Sequence, residues 1–386
     1  FKSKEEKVEI IIKDGCQIGS RFSVSVSNRC IIEKNVIIGP NVYIADCEHN
    51  YKNVGMPIMN QGITSLKNEV VIGENSWIGI NATIIGNVRI GKGCVVGANS
   101  YVTRSIPDYS VVGGSPAKIL KMYDTVTQEW IRVRNKYDVE RIINNRKKQP
   151  LISISIPTFN RGKELEKCLH SIFKQIGNDG LFEVLISNNN SEDNTEEIVK
   201  KYELLYDNIT YNKNIDNIGG DNNIALVTKK AKGKYIMLHG DDDYFKDDTI
   251  YKLVNIINNN QEKSLFFINV LSCDNKVEDC DGINEFLKKT SINSGFISSI
   301  IMKRQEYEKV KEPFKFIDSG FNQIYLQYMI LLKNPKCLII NSPIFTYEGN
   351  KPQGYNFGKV FIKNYLDILN YIKDYGLNEE VIKEEK

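Results

Sequence analysis

The chain has 386 residues, with 51 Lys and Arg against 48 Asp and Glu, so its formal charge of +3 points to no nucleic-acid partner. No apolar run approaches the ~20 residues that span a bilayer, and the opening FKSKEEKVEI is no signal peptide. It also lacks an initiator Met, so the natural N-terminus is expected further upstream. Eight cysteines without a CxxC pair, set in apolar contexts such as Cys30 and Cys168, read as reduced thiols of a cytoplasmic protein. The length exceeds what one core of this kind fills and fits two domains.

The first element is a repeat. Apolar or small residues recur at every sixth position, Ile12, Ile18, Val24, Cys30, Val36 and Val42, then in the same register at Ile72, Ile78, Ile84, Ile90, Val96 and Val102. A period of six fits neither a helix nor an ordinary strand. It fits a β-solenoid, each unit giving a short strand and a turn whose inward residue stacks on the next coil. Gly39, Asn75, Asn81, Gly86 and Asn99 are expected to supply positive φ at the corners. The repeat breaks at residues 48–69, where NVYIADCEHNY carries His49, one of only three histidines.

VYIADCEHNY, VVIGENSWIG and VVGANSYVTRSIPDYSVVGGSPAKIL resemble segments of the hexapeptide-repeat sugar O-acetyltransferases. The resemblance implies a left-handed parallel β-helix, acetyl-CoA as cosubstrate, a homotrimer, and His49 as the general base. A neutral imidazole can take the proton of a sugar hydroxyl at cytoplasmic pH. Cys47 is a rival nucleophile, though two-residue spacing from His49 suits a turn better than a dyad. Trp77 reads as a packing residue or one near coenzyme A, and Lys118 as a contact to its phosphate or a solvated lysine.

After this domain, 1–120, a glycine-free stretch at 121–150 reads as a helical linker. Seven basic residues lie between Arg132 and Lys148. They read as a solvated helix or as a patch for phosphate or for anionic lipid, the last of which would place a cytoplasmic protein at the inner face of the membrane.

From Leu151, strands and helices alternate: LISISIPTFN, then GKELEKCLHSIFKQI with Leu165, Leu169, Ile172, Phe173 and Ile176 at helical spacing, then FEVLISNNN, EDNTEEIVKKYELL, ITYNKN and GKYIMLHGDDDYF. Such alternation predicts a mainly parallel sheet with ligands beyond the carboxyl ends of its strands. Crowded carboxylates at Asp241 and Asp243 either approach a neutralising cation, such as a hard divalent ion bridged to a diphosphate, or form an acidic turn without a ligand.

SIPTFNR, LISNNNSEDNT and the DDD stretch resemble the family 2 glycosyltransferases of the GT-A fold, over 151–386 and best over 151–275. The resemblance implies a nucleotide-sugar donor, such as a UDP-sugar, with Mn²⁺ or Mg²⁺, and a glycan or lipid-linked saccharide acceptor. By position, Pro157, Thr158, Asn160 and Arg161 match the nucleotide loop, and Asn217 and Gly219 a segment near the nucleotide sugar. Asp241 and Asp243 match the groups for ribose and metal. Asn188 stands where the family has an aspartate near the base, which leaves the base open. Asp318 is the candidate base for the acceptor hydroxyl, or else a helix cap, with Glu306 and Glu312 as alternatives. His239 reads as packing, and His170 as a core or surface residue. The combination implies a bifunctional enzyme of bacterial surface polysaccharide synthesis (capsule or O-antigen). The alternatives are a glycosyltransferase on a trimerising scaffold and an assembly factor with both sites dead, against which the intact His49, Asp241 and Asp243 speak.

Overall fold

The computed structural model describes residues 8–64, 67–272, 274–347 and 362–385. The chain forms two compact units, Phe1–Asn145 and Arg146–Lys386.

In the first unit the period of six becomes three parallel sheets around one apolar axis. Each full coil contributes one strand to each sheet, as Arg29–Ile32, Ile37–Ile38 and Tyr43–Ala45 do, followed a coil later by Glu69–Ile72, Trp77–Ile78 and Thr83–Ile85. The registers stack like on like: Ile32 on Ile72 on Ile90, Ile38 on Ile78 on Val96, and Ile44 on Ile84 on Val102. All are buried, and each fully buried Ile or Val contributes about 1.5–3 kcal/mol over an exposed one. Ile12 and Ile18 keep the period but are exposed, because the first described coil is covered on one side only.

Two chemistries make the corners. Asn75, Asn81 and Asn99 take φ near +59°, and Gly86 takes +101°, as expected. Asn41, Asn81 and Asn99 also form a ladder, Nδ2 to Oδ1 at 3.0 and 3.1 Å. Gly39 departs from the expectation. Its φ is ordinary, and a Cβ there would lie 2.7 Å from Ile80 N of the next coil. Close approach of coils, rather than backbone handedness, requires glycine at that position.

The expected helical linker from 121 is corrected. Residues Lys118–Asp124 and Glu129–Arg132 form an antiparallel hairpin that extends one solenoid sheet to seven strands. Only Lys136–Lys148 is helical. Tyr123, Trp130 and Ile131 favour a pleated surface. Tyr123 pairs with Trp130 across the hairpin, and Asp124 Oδ1 accepts from Val126 N to close the turn. The second unit accordingly begins within that helix, at Arg146.

The second unit is built on an eight-stranded sheet. Its spatial order is Ile209–Lys213, Phe182–Asn188, Ile152–Thr158, Tyr235–Leu238, Ile300–Lys303, Leu265–Ile268, Lys336–Asn341 and Lys276–Asp281. The first four strands are parallel, and Ile300–Lys303 runs against both its neighbours. Ile152–Thr158 and Phe182–Asn188 are buried on both faces, as a sheet covered by helices on each side requires. Helix Gly162–Ile176 buries Leu165, Leu169, Ile172, Phe173 and Ile176, the apolar stripe its spacing predicts.

Candidate active site

The carboxyl ends of Ile152–Thr158, Phe182–Asn188 and Tyr235–Leu238 open into the loops that carry the candidate residues of the second unit. Asp241 and Asp243 are 5% and 3% exposed. Arg161, from the loop after Thr158, sets Nη1 3.2 Å from Asp241 Oδ1 and 2.6 Å from Asp242 Oδ2. Burial pushes the Asp241 carboxyl up to about 7, against the opposing pull of Arg161. Burial likewise raises Asp243 to about 6, opposed by the hydroxyl of Ser298, which donates to Asp243 Oδ2. Ser298 Oγ also accepts from Gly240 N at 2.8 Å.

Among the described residues, no group of three or more His, Cys, Asp or Glu side chains could hold a metal ion. The donor set is therefore two buried carboxylates, whose burial disfavours their charged forms until a cation is near. A hard divalent ion that keeps waters and phosphate oxygens in its shell fits such a set. His239 is fully buried, stacked on Phe245 at 4.7 Å between ring centroids, with Nε2 3.1 Å from Asp243 O. Burial lowers it to about 4, and it packs as expected. His170 is a surface residue.

Asparagine side chains join the neighbouring loops. Asn160, at φ +50°, donates its N–H to Ser191 Oγ and accepts from Glu192 N. Asn189 Nδ2 donates to Asn217 Oδ1 at 2.7 Å, and Asn217 Oδ1 also accepts from Gly219 N. Asn217, Gly219, Asn160 and Arg161 are exposed at this edge, while Thr158 is buried and Pro157 half-buried. Asn188, expected near the base, is fully buried, with Oδ1 accepting from Ser191 N and Nδ2 donating to Tyr211 Oη. It holds the loop, whereas the amides of Asn160 and Asn217 are exposed at this edge.

Asp318 does not cap the following helix. It sits exposed in the short turn Ile317–Ser319, and the residue preceding helix Asn322–Leu331 is Phe321, which makes no side-chain cap. Of the alternatives, Glu306 is buried and accepts from Lys309, and Glu312 pairs with Lys315. Ser298, Asn189 and Asp221 were not singled out from sequence. Ser298 carries no motif, whereas Asn189, inside LISNNNSEDNT, and Asp221, directly after Gly219-Gly220, lie in or beside stretches that carry the resemblance.

In the first unit, His49 is exposed on the excursion between coils, bridged by backbone to Ile63. Asn50 N to Gly62 O at 2.9 Å and Thr64 N to Glu48 O at 2.8 Å close that excursion. Fully buried Asp46 anchors its base by accepting from the N–H groups of Ser27, Asn28 and Arg29. Burial raises the Cys47 thiol, and Asp46 adds to the rise, opposite to what a thiolate nucleophile needs. Trp77 is 52% exposed on the outer face of its sheet, so the packing role expected for it within one chain is not found. A cavity of about 330 Å³ is lined by Arg104, Pro116, Lys118 and Ile119, among others, but neither His49 nor Trp77 lines it.

These two arrangements, a six-residue β-helix and an acidic edge on an α/β sheet, define a chain with two transferase-like regions. Residues 153–329 match the model of glycosyl transferase family 2, and residues 69–104 that of the bacterial transferase hexapeptide (six repeats). The first region is similar to the protein of Escherichia coli strain K12 named "Putative lipopolysaccharide biosynthesis O-acetyl transferase WbbJ", 34% identical over 126 residues, 31% of this chain and 64% of that protein. The second is similar to the abequosyltransferase RfbV of Salmonella typhimurium, 25% identical over 254 residues, 58% of this chain and 74% of that protein. Among solved structures, S. aureus TarS aligns at 18% identity over 61% of this chain and 42% of that one, with a TM-score of 0.48. The chain thus spans under two thirds of its acetyltransferase relative. Its fold classes are those expected, a hexapeptide β-helix followed by a GT-A domain.

Proposed function

We propose that the chain is a bifunctional transferase of bacterial surface polysaccharide synthesis. It O-acetylates a sugar hydroxyl from acetyl-CoA and transfers a sugar from a nucleotide donor to a glycan or lipid-linked acceptor. The observation that carries the second activity is the pair of buried carboxylates, Asp241 and Asp243, the first of them paired with Arg161, within a region that matches glycosyl transferase family 2.

In sugar transfer, the Asp318 carboxylate takes the acceptor proton as that oxygen attacks the anomeric carbon, and the electron pair of the breaking bond leaves on the diphosphate. Arg161 and the loops at Asn160, Asn217 and Gly219 orient the donor. Asp241 and Asp243 would hold Mn²⁺ or Mg²⁺, which supplies neutralisation of the diphosphate leaving group. In acetyl transfer, His49 takes the proton of the sugar hydroxyl, whose oxygen attacks the thioester carbonyl, and the thiolate of coenzyme A leaves. Lys118 and Arg104, which line the cavity, suit the phosphates of coenzyme A.

The exposure of both His49 and Trp77 supports a homotrimer in which a second copy completes the acetyl-transfer site. No helix of the described residues is long and apolar enough to cross a membrane, and the basic helix Lys136–Lys148 suits peripheral contact with anionic lipid. Incubating the protein separately with acetyl-CoA plus sugar acceptors, and with UDP-, GDP- and dTDP-sugars, tests the proposal. It requires turnover with both classes, and turnover with nucleotide sugars alone would leave the solenoid a scaffold.

A further inference from the structure

A hydrogen bond joins two loops of the sugar-transfer edge that are remote in sequence. Helix Gly220–Lys230 starts immediately after the Asn217–Gly219 segment, and the second residue of that helix is Asp221. Its Oδ2 accepts the backbone N–H of Gly320 at 2.8 Å. Gly320 closes the turn Ile317–Ser319 that carries Asp318, at φ +77° and ψ −4°. That left-handed conformation aims the peptide N–H back at the helix and favours glycine.

The turn is held at its other groups too. Buried Gln323 donates through Nε2 to Gly320 O and to Gly295 O. Asn364 Nδ2 donates to Ser319 O at 2.8 Å, and Asn322 Nδ2 to Pro313 O. Of these contacts, only that of Asp221 reaches the helix that directly follows the segment matched to the donor sugar, where Asn217 Oδ1 accepts from Gly219 N and from Asn189 Nδ2.

We propose that Asp221 is a positioning residue that fixes the candidate base Asp318 relative to the donor loop. The inference rests on the reading of Asp318 as the acceptor base. Asp221 is half-buried and spent on Gly320, whereas Asp318 is exposed. One carboxylate is thus committed to structure and the other faces outward. Burial raises the Asp221 carboxyl, and the charge of Asp318 adds to the rise, so the two groups are near enough to feel each other. A base misplaced by about 1 Å costs on the order of 100-fold in rate, so a single contact that fixes its turn can matter to transfer.

The experiment compares Asp221→Ala, Asp221→Asn and Asp318→Ala in the full chain, with the nucleotide sugar that the unaltered protein turns over fastest. Two rates are read, transfer to acceptor and hydrolysis of the donor by water without acceptor, alongside the thermal midpoint. Asp221→Ala should lower kcat of transfer about 10- to 100-fold, with donor KM and donor hydrolysis changed less than about threefold. Asp221→Asn keeps an oxygen that accepts from Gly320 N–H and should restore transfer to within about threefold of the unaltered protein. Transfer by Asp221→Ala at the normal rate, with Asp318→Ala inactive, overturns the tether and leaves the base assignment standing. Equal loss of transfer and donor hydrolysis, or no rescue by asparagine, also overturns it. Normal transfer by Asp318→Ala overturns the base assignment itself.

Discussion

Arg161 Nη1 lies 3.2 Å from Asp241 Oδ1, so a half-exposed guanidinium from one loop stands over a buried carboxylate from another. Without a bound cation, that guanidinium offsets part of the cost of burying charge at Asp241. Arg161→Ala removes the offset and a donor contact together. It should lower sugar-transfer kcat/KM about 10- to 100-fold and leave acetyl transfer unchanged, as steady-state rates on one preparation will read.

Asp241 should carry a stability cost that depends on pH. Its folded-state pKa of about 7 lies above the ordinary 3.8, so the protonated form favours the fold. That contribution is full below about 4 and is lost as pH rises through about 7. Asp241→Asn mimics the protonated group. In EDTA it should therefore be more stable than the unaltered protein at pH 8 by on the order of 4 kcal/mol, the rise from 3.8 to about 7 taken at ~1.4 kcal/mol per pH unit, with the advantage gone near pH 4. Urea unfolding at both pH values measures this, and an equal offset at both would contradict it.

The metal reading separates the two activities. EDTA should stop sugar transfer, where a diphosphate departs, and spare acetyl transfer, where a singly charged thiolate does. Mn²⁺ or Mg²⁺ added back should restore the former. Assaying both activities before and after chelation checks it, and equal loss of both would point to one shared site.

The solenoid offers a contrast between neighbours. Ile78 is fully buried in the axis and adjacent Trp77 is half out of it. Ile78→Ala should cost about 2–5 kcal/mol of stability. Trp77→Ala should cost the isolated chain little, but should weaken the proposed trimer. Sedimentation velocity at micromolar protein distinguishes the two, and an unaltered trimer in Trp77→Ala would remove that residue from the interface.

Sequence carried the solenoid well because each coil repeats one local rule, an inward Ile or Val every six residues with Asn or Gly at the corner. It failed at Gly39, where crowding from the next coil decides; at Trp77 the outward face follows from its place beside the inward Ile78. Over 121–132, charge and the lack of glycine suggested a helix, but an available sheet edge let Tyr123 and Trp130 pair instead. In the second unit, the strand ends and acidic loop were legible from alternation and motif. Ser298 and the link from Asp221 to Gly320 were not, because they join segments 55 and 99 residues apart with no local signature.

The most direct measurement sets His49→Ala and Asp243→Asn side by side, each assayed for acetyl transfer from acetyl-CoA and for sugar transfer from a nucleotide sugar. His49→Ala should lose acetyl transfer by on the order of 10²–10⁴-fold and keep sugar transfer. Asp243→Asn should show the reverse, because His49 and Asp243 belong to different compact units. Loss of both activities in either folded variant, or normal acetylation by His49→Ala, would contradict two separate transferase sites in one chain.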